Sequence, residues 1–386
     1  MLTPTRILRG IWRRYRIFAE KSCIYGWRRT IHVIYRAQFK RYCRDLGIKD
    51  KRTPGERAYV DKWKVFGWPV EPYSYRLYRG YRGDDPAIVP EDIARTFIEP
   101  VLCPHRYRGY YMDKNIFDEL FVEGTLPVTV LRRMDGGVLL NADYTPCDLA
   151  AGLAHLIPQS YDKLILKPTK DTSSGLGVML FERKGEKFIS AKENQELTLD
   201  FLDKYGENFI LQEAIRQHPV LMGFNPTSVN TLRLAVYRST KDEAIAVTGA
   251  LIRVGRSGEI CDNGHAGEKF VGIDLETGRL NHYACDQYGN VCDSWNGVDY
   301  KNNDFVIPCW DDVKRFSQYV CSKLHHCRLV QLDITVNAKG KPQLIEFNIE
   351  GFSYWLFLFS GQNPWGCYTD EIISYCKGKD VDLQKL

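Results

Sequence analysis

The sequence predicts an α+β fold, and three observations carry that prediction. From residue 126 onward short apolar strands alternate with glycine turns. Two segments within that stretch, "NQELTLDFLDKYG" and "WDDVKRFSQYVCSKLHH", have helical periodicity. Strands and helices do not follow the strict β-α-β order that a doubly wound parallel sheet requires. At 386 residues the chain is long enough for two or three domains with a real core. Its composition, 44% apolar and 26% charged, is that of an ordinary globular protein.

Several classes are disfavoured at once. No apolar run approaches the roughly twenty residues that span a bilayer. The opening "MLTPTRILRGIWRRYR" is basic, with neither an apolar core nor a small-residue cleavage site after it, so it does not read as a secretory signal. Twelve cysteines are scattered without a C-x-x-C pair, as expected of reduced thiols in a cytoplasmic protein. The cluster Cys321, His325, His326, Cys327 matches no common zinc spacing, and on a helix it would not converge tetrahedrally.

The elements follow in order. Residues 1–52 hold fifteen Lys or Arg against three Asp or Glu, within a chain whose net charge is +5. Their mixture of Arg with Trp, Tyr, Phe and Ile at roughly helical spacing predicts a helical arm. It either packs its aromatic face on the body or lies on an anionic membrane at the inner face. Nucleic acid is the weakest of the partners considered, because the rest of the chain is acidic. "GIKDKRTPGER" (47–57) reads as a linker and "EPYSYRLYRGYRGDDP" as a loop, within a lead-in segment at 53–110. "PEDIARTFIEPVL" and "DKNIFDELF" read as helices, the second capped by Asp113. The strands are "PVTVL", "KLILKP", "GVMLFER", "NFILQEAI", "NTLRLAVYR" and "AIAVTGALIRVG".

The most informative stretch is "LVQLDITVNAKGKPQLIEFNIEGF" (329–352), a hairpin whose apolar strands carry Asp333, Glu346 and Asn348. Strand faces alternate with period two. A four-residue loop at 338–341 would pair Asn337 with Pro342 and set Asp333 opposite Glu346. Cross-strand neighbours are about 5 Å apart, so two carboxylates there repel unless a cation lies between them. Two carboxylates and an amide would then converge on that cation.

Three other stretches bear on that cation. In "KLILKPTKDTSSGLGVMLF" a strand ends at Lys167. The small residues Ser173, Ser174, Gly175 and Gly177 that follow would let backbone N–H groups approach phosphate oxygens. Neither G-x-x-x-x-G-K-[ST] nor G-x-G-x-x-G occurs, so this is not a Walker or dinucleotide loop. "FILQEAIRQHP" ends a strand at Gln212 and Glu213 and opens through Ala214 and Ile215. Its backbone could face an adenine edge, with Glu213 accepting from the exocyclic amine. "SVNTLRLAVY" sets Thr231 and Arg233 on one strand face, and arginine suits a planar oxyanion or a phosphoryl group. Each of these three, taken singly, is equally an ordinary hairpin, strand end or salt bridge.

In this order the pieces resemble the ATP-grasp superfamily, and within it the sugar-transfer-associated ATP-grasp family, over most of residues 100–365. The resemblance implies two α+β subdomains gripping ATP, a nucleotide-binding one at 111–213 and a metal and catalytic one at 214–386. Lys114 in "MDK" and Lys167 are similar to the family's two nucleotide lysines, "TSSGLG" to its phosphate-covering loop, and "LQEAI" to its adenine hinge. Arg233 resembles the phosphate-facing arginine, His265 falls in the substrate loop, and Asp333, Glu346 and Asn348 resemble the set that holds one or two Mg²⁺ ions. The implied reaction is ATP-dependent ligation of a carboxylate, free or sugar-linked, to an amine or thiol through an acylphosphate. The implied setting is surface polysaccharide modification. A kinase acting on a hydroxyl and a non-catalytic nucleotide-binding module are the alternatives.

Overall fold

A computed structural model describes residues 4–170, 175–259, 267–379 and 381. Two antiparallel sheets dominate it. The first has six strands: β1 Thr129–Arg133, β2 Leu140–Asn141, β3 Lys163–Pro168, β4 Met179–Lys184, β5 Lys187–Ser190 and β6 Phe209–Glu213, ordered β2-β1-β6-β3-β4-β5. The second is built from β7 Thr231–Arg238, β8 Ile245–Val254, β9 Lys269–Gly272, β10 Ala284–Cys285 and β11 Val291–Cys292. After the two-stranded ribbon β12 Ser294–Trp295 and β13 Val298–Asp299, it is completed by β14 Leu329–Val336 and β15 Pro342–Asn348. Its order is β11-β10-β9-β8-β7-β14-β15.

The arm is one helix, α1 (Pro4–Asp45), and its second half packs on the body. Phe39 and Cys43 are buried, His32 Nδ1 lies 2.6 Å from Asp92 Oδ2, and the Arg28 guanidinium stacks 3.6 Å from the centroid of Phe97. Tyr15, Phe18, Tyr25, Val33 and Ile34 stay exposed along it. No helix among the described residues is long and apolar enough to cross a membrane.

Residues 53–110 contain α2 (Glu56–Trp63) and α3 (Tyr73–Arg82), so the loop expected at "EPYSYRLYRGYRGDDP" is largely a helix. Its tyrosines are the reason. Tyr73, Leu77, Tyr75 and Tyr78 form a buried stripe, while Arg76 turns to Glu56 at 2.8 Å and to Asp50 at 2.6 Å. Glu71 fixes the start by accepting from the Tyr73 and Ser74 N–H groups, at 2.8 and 3.2 Å. The helix expected at "PEDIARTFIEPVL" runs from Glu91 to Leu102 with a π-helical turn at Ala94–Ile98. Asp113 does cap the next helical turn, accepting from Asn115 N–H at 2.9 Å.

The seven-stranded sheet, these helices and the C-terminal helices Tyr354–Phe359 and Thr369–Cys376 share one large core. Helix Trp310–Lys323 packs across β7, β8 and β14. The six-stranded sheet has a smaller core of its own, around Leu131, Leu164, Leu166, Phe181, Leu202 and Phe209.

Candidate functional site

The acidic hairpin forms, with one change of register. Val336, not Asn337, pairs with Pro342, and Ile334 pairs with Leu344. A bulge at Ile345 then inserts one residue, so that Asp333 still falls opposite Glu346 and Gln331 opposite Asn348. β7 on the other side of β14 brings Arg233 opposite Asp333.

The repulsion between the carboxylates is met first by the protein's own cations. Arg233 grips Asp333 with two hydrogen bonds, Nε to Oδ1 at 2.5 Å and Nη2 to Oδ2 at 2.8 Å, and its Nη1 donates to Gln331 Oε1 at 3.2 Å. Such a planar, two-bond pair is the strong form of an ion pair. Lys114 Nζ reaches Glu346 Oε2 at 3.3 Å. Burial alone would raise Glu346, but Lys114, Arg233 and Lys167, with a hydrogen bond from Asp333, hold it down at about 2. Asp333 is pushed above its usual range by burial and by Glu346, against the pull of Arg233 and Arg253. Burial lowers Lys167 to about 8, with Lys114 adding to the fall and Glu346 opposing it.

A cavity of about 420 Å³ lies between the two sheets. Ten of the expected site residues line it: Lys114, Lys167, Gly175, Gln212, Glu213, Ile215, Arg233, Asp333, Glu346 and Asn348. Lys114 is delivered to it by the Asp113 cap and by its own N–H, which donates to Thr169 O at 3.2 Å. Gly177 and Ala214 are not among the lining residues. Gly177, at φ +80°, packs where a Cβ would lie 2.9 Å from Pro168 Cγ, and its carbonyl accepts from Tyr205 at 2.5 Å. Ser173, Ser174 and His265 lie outside the described residues.

The expected hinge is partly spent. Glu213 N–H donates to Val128 O at 2.8 Å and Ala214 N–H to Lys163 O at 3.0 Å, so both amides are already engaged within the protein. Gln212 Nε2 is likewise turned to Pro127 O and Thr129 Oγ1, both at 3.3 Å.

The donors around β14 and β15 suit a hard cation. Two carboxylates and an amide, all offering oxygen, are brought together by these adjacent strands. No cluster of three or more His, Cys, Asp or Glu with metal-holding geometry occurs among the described residues. In the Cys321–Cys327 segment, His326 stacks flat on Tyr107 at 3.7 Å.

Sequence reasoning missed Arg253, Glu268, Gln287 and Trp355, which line the same cavity. Arg253 carried a usable signal. It is a charge inside the apolar strand "GALIRVG", and it pairs in register with Thr231 on β7.

Two sheets closing on a cavity with lysines on one wall and carboxylates on the other define an ATP-grasp fold. The profile of the sugar-transfer associated ATP-grasp family matches residues 104–362, and the chain belongs to that family. No curated relative matches. Among solved structures, D-cycloserine synthetase DcsG is 13% identical, with 72% of this chain and 74% of that chain covered at a TM-score of 0.42. D-alanine–D-alanine ligase from Bacillus anthracis is 13% identical over 73% and 70%, at 0.36. The ATP-grasp ligase PsnB in complex with its minimal precursor is 14% identical at 0.38, and the match covers 70% of this chain and only 61% of PsnB.

Proposed function

We propose that the protein is an ATP-dependent ligase that activates a carboxylate as an acylphosphate and transfers the acyl group to an amine. The observation that carries the proposal is the convergence of Lys114 and Lys167 with Asp333, Glu346 and Asn348 on one cavity. Lys114 and Lys167 neutralise the α- and β-phosphates, as point charges on flexible stems do well. The cavity wall at Ile165, Pro168, Val178 and Ile215 offers the adenine an apolar slot. Arg233, on the same wall as Asp333, fixes that carboxylate and would steady the transferring phosphoryl group. Asp333, Glu346 and Asn348 would hold Mg²⁺, which when bound neutralises charge on the transferring phosphoryl group and its leaving diphosphate. The rest of the protein's work is positioning and charge stabilisation.

The test is product analysis with the full chain, Mg·ATP and a matrix of amino acids, amines and uronic acids. Amine-dependent release of ADP and free phosphate is the expected result. A stable phosphorylated acceptor would make the protein a kinase instead. Nucleotide binding without turnover across the whole matrix would make it a binding module.

A further inference from the structure

The strand that carries Glu346 and Asn348 runs straight into a short loop, residues 349–353, before helix Tyr354–Phe359. Gly351 and Ser353 of this loop line the cavity together with Asn348. Side chains hold its backbone. Gly351 N–H donates to Glu99 Oε2 at 2.9 Å, Arg95 Nη2 donates to Phe352 O at 3.2 Å, and Ser353 N–H donates to Gln331 Oε1 at 3.2 Å. The same Gln331 oxygen accepts from Arg233 Nη1 at 3.2 Å. One buried amide therefore ties the loop to the guanidinium that grips Asp333. Gly351 has φ +65°, a conformation that favours glycine, and a Cβ there would lie 3.7 Å from Arg95 Nη1.

Arg95 and Glu99 belong to the helix Glu91–Leu102, which ends before residue 104, where the match to the family profile begins. The sequence explains how this helix is aimed. Pro100 has no N–H to offer the Thr96 carbonyl, and the helix passes through its π-helical turn at Ala94–Ile98. Arg28 of α1 takes up that carbonyl, with Nη2 to Thr96 O at 3.3 Å, while its guanidinium stacks on Phe97. One turn away, His32 pairs with Asp92 at 2.6 Å. The helix is thus clamped by α1 and spends two charged side chains on the loop.

A brace made only for stability would not be built this way. Glu91 and Glu99 are buried one turn to either side of Arg95, whose Nε stands 4.0 Å from Glu91 Oε2. Burial pushes Glu91 up to about 7 and raises Glu99 above the usual carboxylate range. Apolar side chains of the same volume are often as stable as such a buried charged set, or more so. What charge provides here and hydrocarbon does not is directed hydrogen bonds to the peptide groups of one loop. We propose that Arg95 and Glu99 are positioning residues of the active site: they hold residues 350–353 against the cavity and, through Ser353 and Gln331, fix the Arg233 guanidinium on Asp333. The effect on turnover rests on the ligase reading; the placement of the loop does not.

The experiment follows amide hydrogen exchange in residues 349–356, Mg·AMP-PNP affinity, and the kcat and KM of amine-dependent ADP release, all on the full chain. Arg95→Leu and Glu99→Leu should each speed exchange in that segment about tenfold, on the scale of one lost charge-assisted hydrogen bond. Each should lower kcat about tenfold, while KM for ATP and Mg·AMP-PNP affinity stay within about twofold of the parent. Glu99→Gln, which keeps an acceptor for Gly351 N–H, should restore most of both losses. Gln331→Met, which cuts the tie between loop and Arg233, should lower kcat by about the same factor. Val313→Ala, a buried change on helix Trp310–Lys323, should lower thermal stability yet leave kcat and this exchange within about twofold. Exchange unchanged in both leucine variants, kcat within about twofold of the parent in both, or an equal fall of kcat in Val313→Ala would overturn the proposal. If no acceptor supports turnover, the ligase reading fails by itself. Exchange in 349–356 then decides alone: faster exchange in the leucine variants upholds the placement of the loop, and unchanged exchange overturns it.

Discussion

The two walls of the cavity are built differently. The six-stranded wall carries Lys167, and Lys114 hydrogen-bonded to Thr169 beside it, and it closes around a small core of its own. The seven-stranded wall carries Asp333 and Glu346, braced by Arg233, and its core is continuous with α1, α3 and the C-terminal helices. One wall is cationic and lightly anchored; the other is acidic and heavily anchored. The Lys114–Glu346 pair spans them at 3.3 Å. The lysine proposed to hold a nucleotide thus pairs with a carboxylate proposed to hold its metal. Under the proposed function, a nucleotide bringing both phosphate and cation would replace this pairing on each side at once.

The largest expected effect comes from removing the acidic side of that exchange. Asp333→Asn with Glu346→Gln keeps the side-chain shapes, at the loss of one of the two hydrogen bonds that Asp333 accepts from Arg233. Turnover should fall by at least about 10³-fold, roughly 4 kcal/mol of transition-state stabilisation. Nucleotide binding should persist but lose its dependence on magnesium, since Lys114 is released to the phosphates. Activity within tenfold of the parent would break the comparison, because the acidic wall would then have no role of its own.

A smaller effect separates the two cores. Leu164 on β3 and Leu332 on β14 are both fully buried, and truncating either to Ala should cost about 2–5 kcal/mol locally. The difference lies in where the loss is felt. Leu164→Ala should speed amide hydrogen exchange in β3, β4 and β6 and weaken nucleotide binding, while β7 and β14 keep their protection. Leu332→Ala should lower protection in both β14 and the helices that share its core. If the two variants loosen the same amides, the walls form one cooperative unit and the contrast drawn from their cores fails.

How much of this was legible in the sequence follows from which physics each part depends on. Asp333 and Glu346 were legible because a carboxylate inside an apolar strand has few bland explanations. Their pairing was legible too, but for an incomplete reason: the turn is one residue out of register with the expectation, and the bulge at Ile345 restores the match. A bulge is set by backbone packing on both faces, which strand alternation does not encode. The cations Arg233 and Lys114 were expected to meet phosphate, and their grip on the carboxylates appears only when β7 and β15 flank β14. Tyr and Arg dominate α3 and give its sequence the look of a loop, although four buried side chains form an apolar stripe along it. Gln287 and Trp355 were illegible for another reason: one sits in the turn between β10 and β11 and the other at the start of a short helix, and only the fold brings them to one cavity.

The finest test of the lightly anchored wall is a pH titration of Lys167, which burial lowers to about 8. Its folded value lies below that of the unfolded chain, so between about 8 and the ordinary lysine range near 10.4 the unfolded state holds more proton. In that window the ligand-free protein gains stability as pH rises, since the buried ammonium is neutralised there. Phosphate oxygens favour the charged form, so nucleotide binding above pH 8 takes up a proton. Affinity for Mg·AMP-PNP should therefore be level from pH 6.5 to 7.5 and weaken by up to about tenfold per pH unit above 8. Lys167→Arg, whose charge persists throughout the range, should flatten the profile. A parent profile already flat to pH 9.5 would mean that Lys167 faces more water than its place on this wall implies, and that the cationic wall is open where the acidic one is closed.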